Sequence, residues 1–312
     1  MALRGGYGHK RQRDASGHPS QGQSSQRDEI RQQLRLVSEE TKELIPLVLS
    51  RTQTCSDGFL LEGSDVPRLK AAECPGFTGV KVRDTTAAEH EYGNTCILNM
   101  ASAARPGGGW LSGASAQEES LCRRSTLPET LKERFYRIPK TGAIYSPSVV
   151  IFRTSRESGH KLMALNDPDS LPVVSAISVA ALVHPQIKRV GVVTTSTDRD
   201  GTVKSVASSR QAYARGSERR AMKEKMRHIL RISAYKKHRR IVLGALGCGA
   251  FKNPREDTAD CWAEVFSEAE FQGGWWKDVV FAILDPLSQP GQNIGNAGAY
   301  IQRLDGLAVS AP

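Results

Sequence analysis

Between Asp28 and Leu49 apolar residues recur at helical spacing, which predicts an amphipathic helix that stops before Arg51. Two short apolar runs, Gly79–Arg83 and Thr95–Met100, read as strands. Ala116 to Thr126 predicts a helix opened by an acidic pair and broken by Leu127-Pro128. Ala143–Arg153 predicts a strand or hairpin, Pro172–Val183 is apolar and fits either helix or strand, and Arg189–Thr194 reads as a strand. Ser217–Lys237 predicts a long basic helix in which Met222, Met226, Ile229, Leu230 and Ser233 share a core-facing side. A buried strand over Arg240–Leu246, a helix over Asp257–Gln272 and a last strand over Asp278–Leu284 complete the pattern. Strands separated by helices predict a three-layer α/β/α sandwich, and no internal repeat interrupts it.

Composition changes this picture mainly at the N-terminus. Residues Met1 to Arg27 hold almost no aliphatic side chains, so they bury too little area to offset chain entropy and are expected to be a disordered basic tail. Residues 28–312 are expected to form a single catalytic domain. The chain shows no apolar core of a secretion signal and no run of about 18 apolar residues, which predicts a soluble, intracellular protein without a membrane partner. Cys55, Cys74, Cys96, Cys122, Cys248 and Cys261 lack paired short spacings, so neither a zinc site nor a disulfide framework is expected. A net charge of +10 favours polyanionic partners, with basic residues concentrated at Lys10–Arg13, Arg219–Arg231 and Lys236–Arg240. Lys10–Arg13 is also a candidate nuclear address.

The candidate chemistry lies between Asn94 and Glu119. An apolar strand delivers Asn99 to its carboxyl end, where ligands bind in open α/β sheets. Gly107, Gly108 and Gly109 allow positive φ and a close approach of backbone amides to a sugar or phosphate. Glu118 and Glu119 then adjoin one another, and mutual repulsion in a dry site raises one carboxyl into the range useful for proton transfer. Downstream, Gly247-Cys248-Gly249-Ala250 offers amides at the start of a new element, an anion cradle without lysine or metal. Read alone, Phe251 at the exit of that loop is a core residue, as are Trp275 and Trp276.

Gly107-Gly108-Gly109, seven residues, then Gln117-Glu118-Glu119 resembles the signature of microbial-type poly(ADP-ribose) glycohydrolases, whose catalytic domain is a macrodomain. Gly247–Pro254 resembles the family's second ligand loop, and the resemblance spans roughly Ile30 to Arg303. It implies a macrodomain-like mixed sheet with extra N-terminal helices. It also implies hydrolysis of the ribose-ribose O-glycosidic bond, with Glu119 as general acid and then base and Glu118 positioning the leaving ribose. Asn99, Gln117, the three glycines and the loop Gly247, Cys248, Gly249, Ala250 and Phe251 would bind substrate, Phe251 by stacking on the distal ribose. Ser102 stands where the wider macrodomain pattern often has a second Asn. Asp84 is a candidate for the adenine amino group or a turn cap. The implied partners are poly(ADP-ribose) or ADP-ribosylated proteins, acted on by a monomer with no cofactor and no catalytic metal. A mono-ADP-ribosyl hydrolase and a non-catalytic ADP-ribose reader would use the same pocket.

Overall fold

The computed structural model describes residues 21–76, 81–83, 95–197, 203–285 and 295–307. Most of the expected tail and the basic cluster Lys10–Arg13 therefore lie outside the described residues. Helix α1 runs over Gln21–Thr52, so helix begins seven residues before the expected boundary at Asp28. Its Gln, Arg and Glu residues are good helix formers, which lets the first turns extend past the packed part. Leu34, Ser38, Thr41, Ile45 and Val48 form its buried stripe. Only this one helix precedes the first strand among the described residues.

The strands that follow are β1 (Phe59–Leu61), β2 (Lys81–Arg83), β3 (Thr95–Met100), β4 (Ala143–Val150) and β5 (Val173–Val179). Helices α2 (Gln117–Arg124) and α3 (Leu127–Thr130) lie between β3 and β4. A hairpin of β6 (Ile187–Thr197) and β7 (Val203–Tyr213) precedes helix α4 (Gly216–Tyr235). Strand β8 (Arg240–Leu243), helix α5 (Arg255–Phe266), strand β9 (Asp278–Phe281) and helix α6 (Gly295–Leu304) complete the chain. Seven strands form one sheet in the order β1-β4-β5-β3-β8-β9-β2, and β6-β7 stand apart as a two-stranded ribbon. Strands β5, β3, β8, β9 and β2 are mutually parallel, whereas β4 runs antiparallel to both β1 and β5.

Period-two alternation divides the sheet into two buried faces. Cys96 and Leu98 of β3, Tyr145 of β4 and Ile177 and Val179 of β5 join a core with α4, α5 and α6 that includes Met222, Met226, Trp262, Trp276 and Tyr300. Ile97, Ile144, Val174 and Ala176 face the other way, against Trp110, Cys122 and Leu127, and α1 covers Val150 and Phe152 beside them. The three-layer α/β/α expectation is met, and the ambiguous segment Pro172–Val183 resolves as strand β5 because both of its faces are covered.

Other boundaries moved. The expected helix Asp257–Gln272 ends at Phe266, with a separate short turn at Ala269–Phe271. Four cations of the basic helix α4 are engaged by carboxylates of the neighbouring segment. Arg219 pairs with Asp257 and Glu264, Lys223 with Glu264, Arg227 with Glu268 and Arg231 with Glu270. These cations are spent on an interhelical ladder with α5 and the turn that follows it.

Candidate active site

Strands β3 and β8 are parallel neighbours, so the segments leaving their carboxyl ends open on the same edge of the sheet. A Cβ on Gly244 would lie 3.2 Å from Met100 Cε, which shows how near the two ends are. The β3 segment makes the glycine turn. Gly107 and Gly108 adopt φ of 64° and 59°. A Cβ on Gly108 would fall 2.6 Å from Glu119 Oε1 and 3.0 Å from Glu118 Oε2, so a side chain there would enter the carboxylate pair.

Helix α2 starts at Gln117 and carries Glu118 and Glu119 in its first turn, where the helix dipole favours negative charge. The Gln117 side chain accepts from the Met100 amide at 2.8 Å and donates to the Leu98 carbonyl at 2.7 Å. Both ends of its amide pin α2 to β3, a bracing contact beside the ligand role that the resemblance implies. Asn99 is fully buried, and its Nδ2 donates to Ser178 Oγ at 3.0 Å and to Glu118 Oε1 at 3.4 Å. It positions Glu118 from beneath.

Glu118 is 3% exposed, and its Oε2 accepts from the Ser102 amide at 2.7 Å. Burial pushes its carboxyl up to about 8, with the charge of Glu119 adding to the rise, while hydrogen bonds from Ser102, Asn99 and Gly107 act the other way. The position with Ser in place of a second Asn thus contributes its backbone to the acid pair. Glu119 Oε1 accepts from the Gly109 amide at 3.0 Å, and its Oε2 is buried without a hydrogen-bond partner among the described residues. Tyr136 was not anticipated. Its hydroxyl is buried without a partner among the described residues, and burial, with the charge of Glu118, raises its pKa. No motif marks it, and it reaches the site because Ile138 bonds to the Ala103 carbonyl beyond β3.

The second loop is held from behind. Gly247 has φ of 75°, and Asn253 Nδ2 donates to the carbonyls of Leu182 and Gly247 at 2.7 and 3.1 Å. Tyr213 Oη in turn donates to Asn253 Oδ1 at 2.9 Å. Gly249 and Ala250 are exposed, and a Cβ on Gly249 would meet nothing within 4 Å. The left-handed residue is therefore Gly247, and Gly249 faces open space. Among the described residues no acceptor takes the amides of Gly249, Ala250 and Phe251, which precede α5. Burial pushes the Cys248 thiol up to about 11, which keeps it protonated and unreactive. Phe251 is half-buried against the core at the loop's exit. Asp84 lies outside the described residues. No group of three or more His, Cys, Asp or Glu side chains is placed to hold a metal ion among the described residues, and none of their helices is long and apolar enough to cross a membrane.

Residues 20–154 match the family model described as Microbial-type PARG, catalytic domain. That span contains the glycine turn and the carboxylate pair, and the match bears out the resemblance to this family. The crystal structure of poly(ADP-ribose) glycohydrolase from Thermomonospora curvata aligns with a TM-score of 0.63 at 24% identity, covering 88% of this chain and 100% of that one. The same enzyme bound to the inhibitor ADP-HPD gives a TM-score of 0.61 at 24% identity and the same coverage. The enzyme from Deinococcus radiodurans in complex with ADP-ribose gives 0.56 at 25% identity, over 83% of this chain and 98% of that one. No curated protein matches the chain.

Proposed function

On the match of residues 20–154 to the microbial-type PARG catalytic domain, we propose that this chain is a poly(ADP-ribose) glycohydrolase that releases ADP-ribose from the polymer. The observation that carries the reading is the state of the two carboxyls. Glu119 is fixed through Oε1 by the glycine turn while Oε2 has no partner, and Glu118 is held by Ser102 and Asn99. The likeness to an enzyme crystallised with ADP-ribose is consistent with it.

Glu119 donates its proton to the bridging ribose oxygen as the glycosidic C–O bond breaks. Water then attacks the oxocarbenium-like carbon and its proton passes back to Glu119, which restores the starting state. Such proton transfer contributes about 10²–10⁴ in rate. With its carboxyl at about 8, Glu118 is mostly neutral at pH 7 and donates a hydrogen bond to a ribose hydroxyl. The open amides of Gly249, Ala250 and Phe251 cradle the pyrophosphate, and the Phe251 ring lies beside the distal ribose. Gly108 leaves the space beside the carboxylates clear because it has no Cβ to stand there, whereas a Cβ on Gly107 would meet Trp110 and Cys122.

The test is turnover of poly-ADP-ribosylated against mono-ADP-ribosylated protein. Release of ADP-ribose from the polymer, with the protein-linked unit left in place, is expected. Activity on the mono-modified protein alone would replace the proposal with a mono-ADP-ribosyl hydrolase, and binding without turnover would make the chain a reader.

A further inference from the structure

Arg123 is 1% exposed and is one of the largest fully buried side chains in the protein. It lies four residues after Glu119 on α2, on the same side of the helix. Its Nη1 donates to the Trp110 carbonyl at 3.3 Å, just past the glycine turn, and its Nε has no acceptor among the described residues. Unlike Arg153, which meets Glu40 at 2.8 Å, it forms no ion pair among them. A buried cation with so few partners is costly to keep.

The surroundings fix this cation in place. Thr41 Oγ1 of α1 donates to the Arg123 carbonyl at 2.8 Å, and Ser38 Oγ donates to the Trp110 carbonyl at 2.7 Å. Both hydroxyls are fully buried. Among the charges acting on the guanidinium, Glu119 on its own helix favours the cation, while Arg156, from the segment after β4, opposes it along with burial itself. His160 in turn feels Arg123, Arg124, Arg153 and Arg156. Once ionised, Glu119 is therefore the largest compensating charge.

We infer that Arg123 is a positioning residue whose buried positive charge balances the carboxylate that Glu119 becomes once it has given up its proton. The inference rests on the glycohydrolase reading above. A cation held in a buried site reorganises little during the reaction, so its effect falls on turnover rather than on substrate binding.

Arg123→Met keeps the length of the stem and removes the charge, and Arg123→Lys keeps the charge without the planar fork. For Arg123→Met, kcat is expected to fall about tenfold, less than for removal of a group that touches the reacting atoms. KM and ADP-ribose affinity should stay within about twofold, and the melting temperature should hold or rise, because an unpaired buried charge has been replaced by an apolar chain. Arg123→Lys should recover kcat to within about threefold of wild type. Unchanged kcat in a folded Arg123→Met would overturn the inference. So would failure of that variant to fold, or a joint fall of kcat and melting temperature without rescue by lysine, since either makes Arg123 a structural prop. Wild-type protein that releases no ADP-ribose would defeat the functional reading first, and the inference with it.

Discussion

Replacing Gly108 by alanine adds a single methyl group where the glycine turn meets the carboxylate pair. That carbon would lie 2.6 Å from Glu119 Oε1 and 3.0 Å from Glu118 Oε2, at a φ of 59°. Two effects follow. Holding a non-glycine residue in the left-handed region costs about 1–2 kcal/mol, which for a protein of this size lowers the melting temperature by about 1.5–3 °C. The closer contact is also roughly 0.8 Å short of ordinary separation, so Glu119 must retreat and loosen its bond to the Gly109 amide. A shift of that size at a proton-transfer group lowers kcat by about a hundredfold, or about 2.7 kcal/mol in the barrier. Steady-state kinetics on polymer, with thermal melts on the same preparation, separate the two effects. A kcat within twofold of wild type in folded protein would refute the idea that this turn sets the acid pair.

Gly249→Val should weaken ADP-ribose binding about ten- to a hundredfold by calorimetric titration, by displacing charge-assisted hydrogen bonds. Its melting temperature should hardly change, because the new Cβ meets no protein atom; unchanged affinity would place the pyrophosphate elsewhere. Glu118 has a carboxyl raised from 4.5 to about 8, so the folded state binds the extra proton between those values. Its contribution to stability is full below about 4.5 and lost as pH rises through about 8. Melts of Glu118→Gln across that range should therefore fall less steeply with pH than those of wild type, and parallel curves would contradict the assignment. Arg227→Ala, which removes pairs with Glu224 and Glu268, should cost no more than about 1 kcal/mol by chemical denaturation. KM for polymer should be unchanged, since Arg227 already meets Glu268 after α5; a raised KM would place Arg227 on the binding surface.

The parts legible in the sequence were those where residue type alone restricts the answer. Strand β3 was read with its observed bounds, and the glycine triplet and adjacent carboxylates come together as their rarity suggested. The ribbon strand β7 was unreadable from periodicity, because most of its described side chains, Ser205 and Ala207 to Ser209 among them, are exposed and need no apolar alternation. Asp200-Gly201, between two β-branched runs, was the available hairpin signal. Strand β1 is three residues at a sheet edge, and α6 is built largely from small residues that gain a core only against α5. Helix α2 ends at Arg124 because Ser125 leaves the helix to bridge Ile151, a tertiary event no local pattern encodes. The same reason hid Tyr136, Arg123 and the bracing bonds of Gln117. Their contributions come from which backbone atoms packing brings beside them, and an amide side chain looks alike whether it faces a ligand or the end of a strand.

The most direct test of the account is Glu119→Gln assayed for ADP-ribose release from polymer and for ADP-ribose binding in parallel. The amide preserves shape and can still accept from the Gly109 amide through one oxygen, while the transferable proton is gone. Turnover should fall by about 10²–10⁴ or more, with affinity held within a few fold. Near wild-type turnover would remove Glu119 from the chemistry and contradict the account.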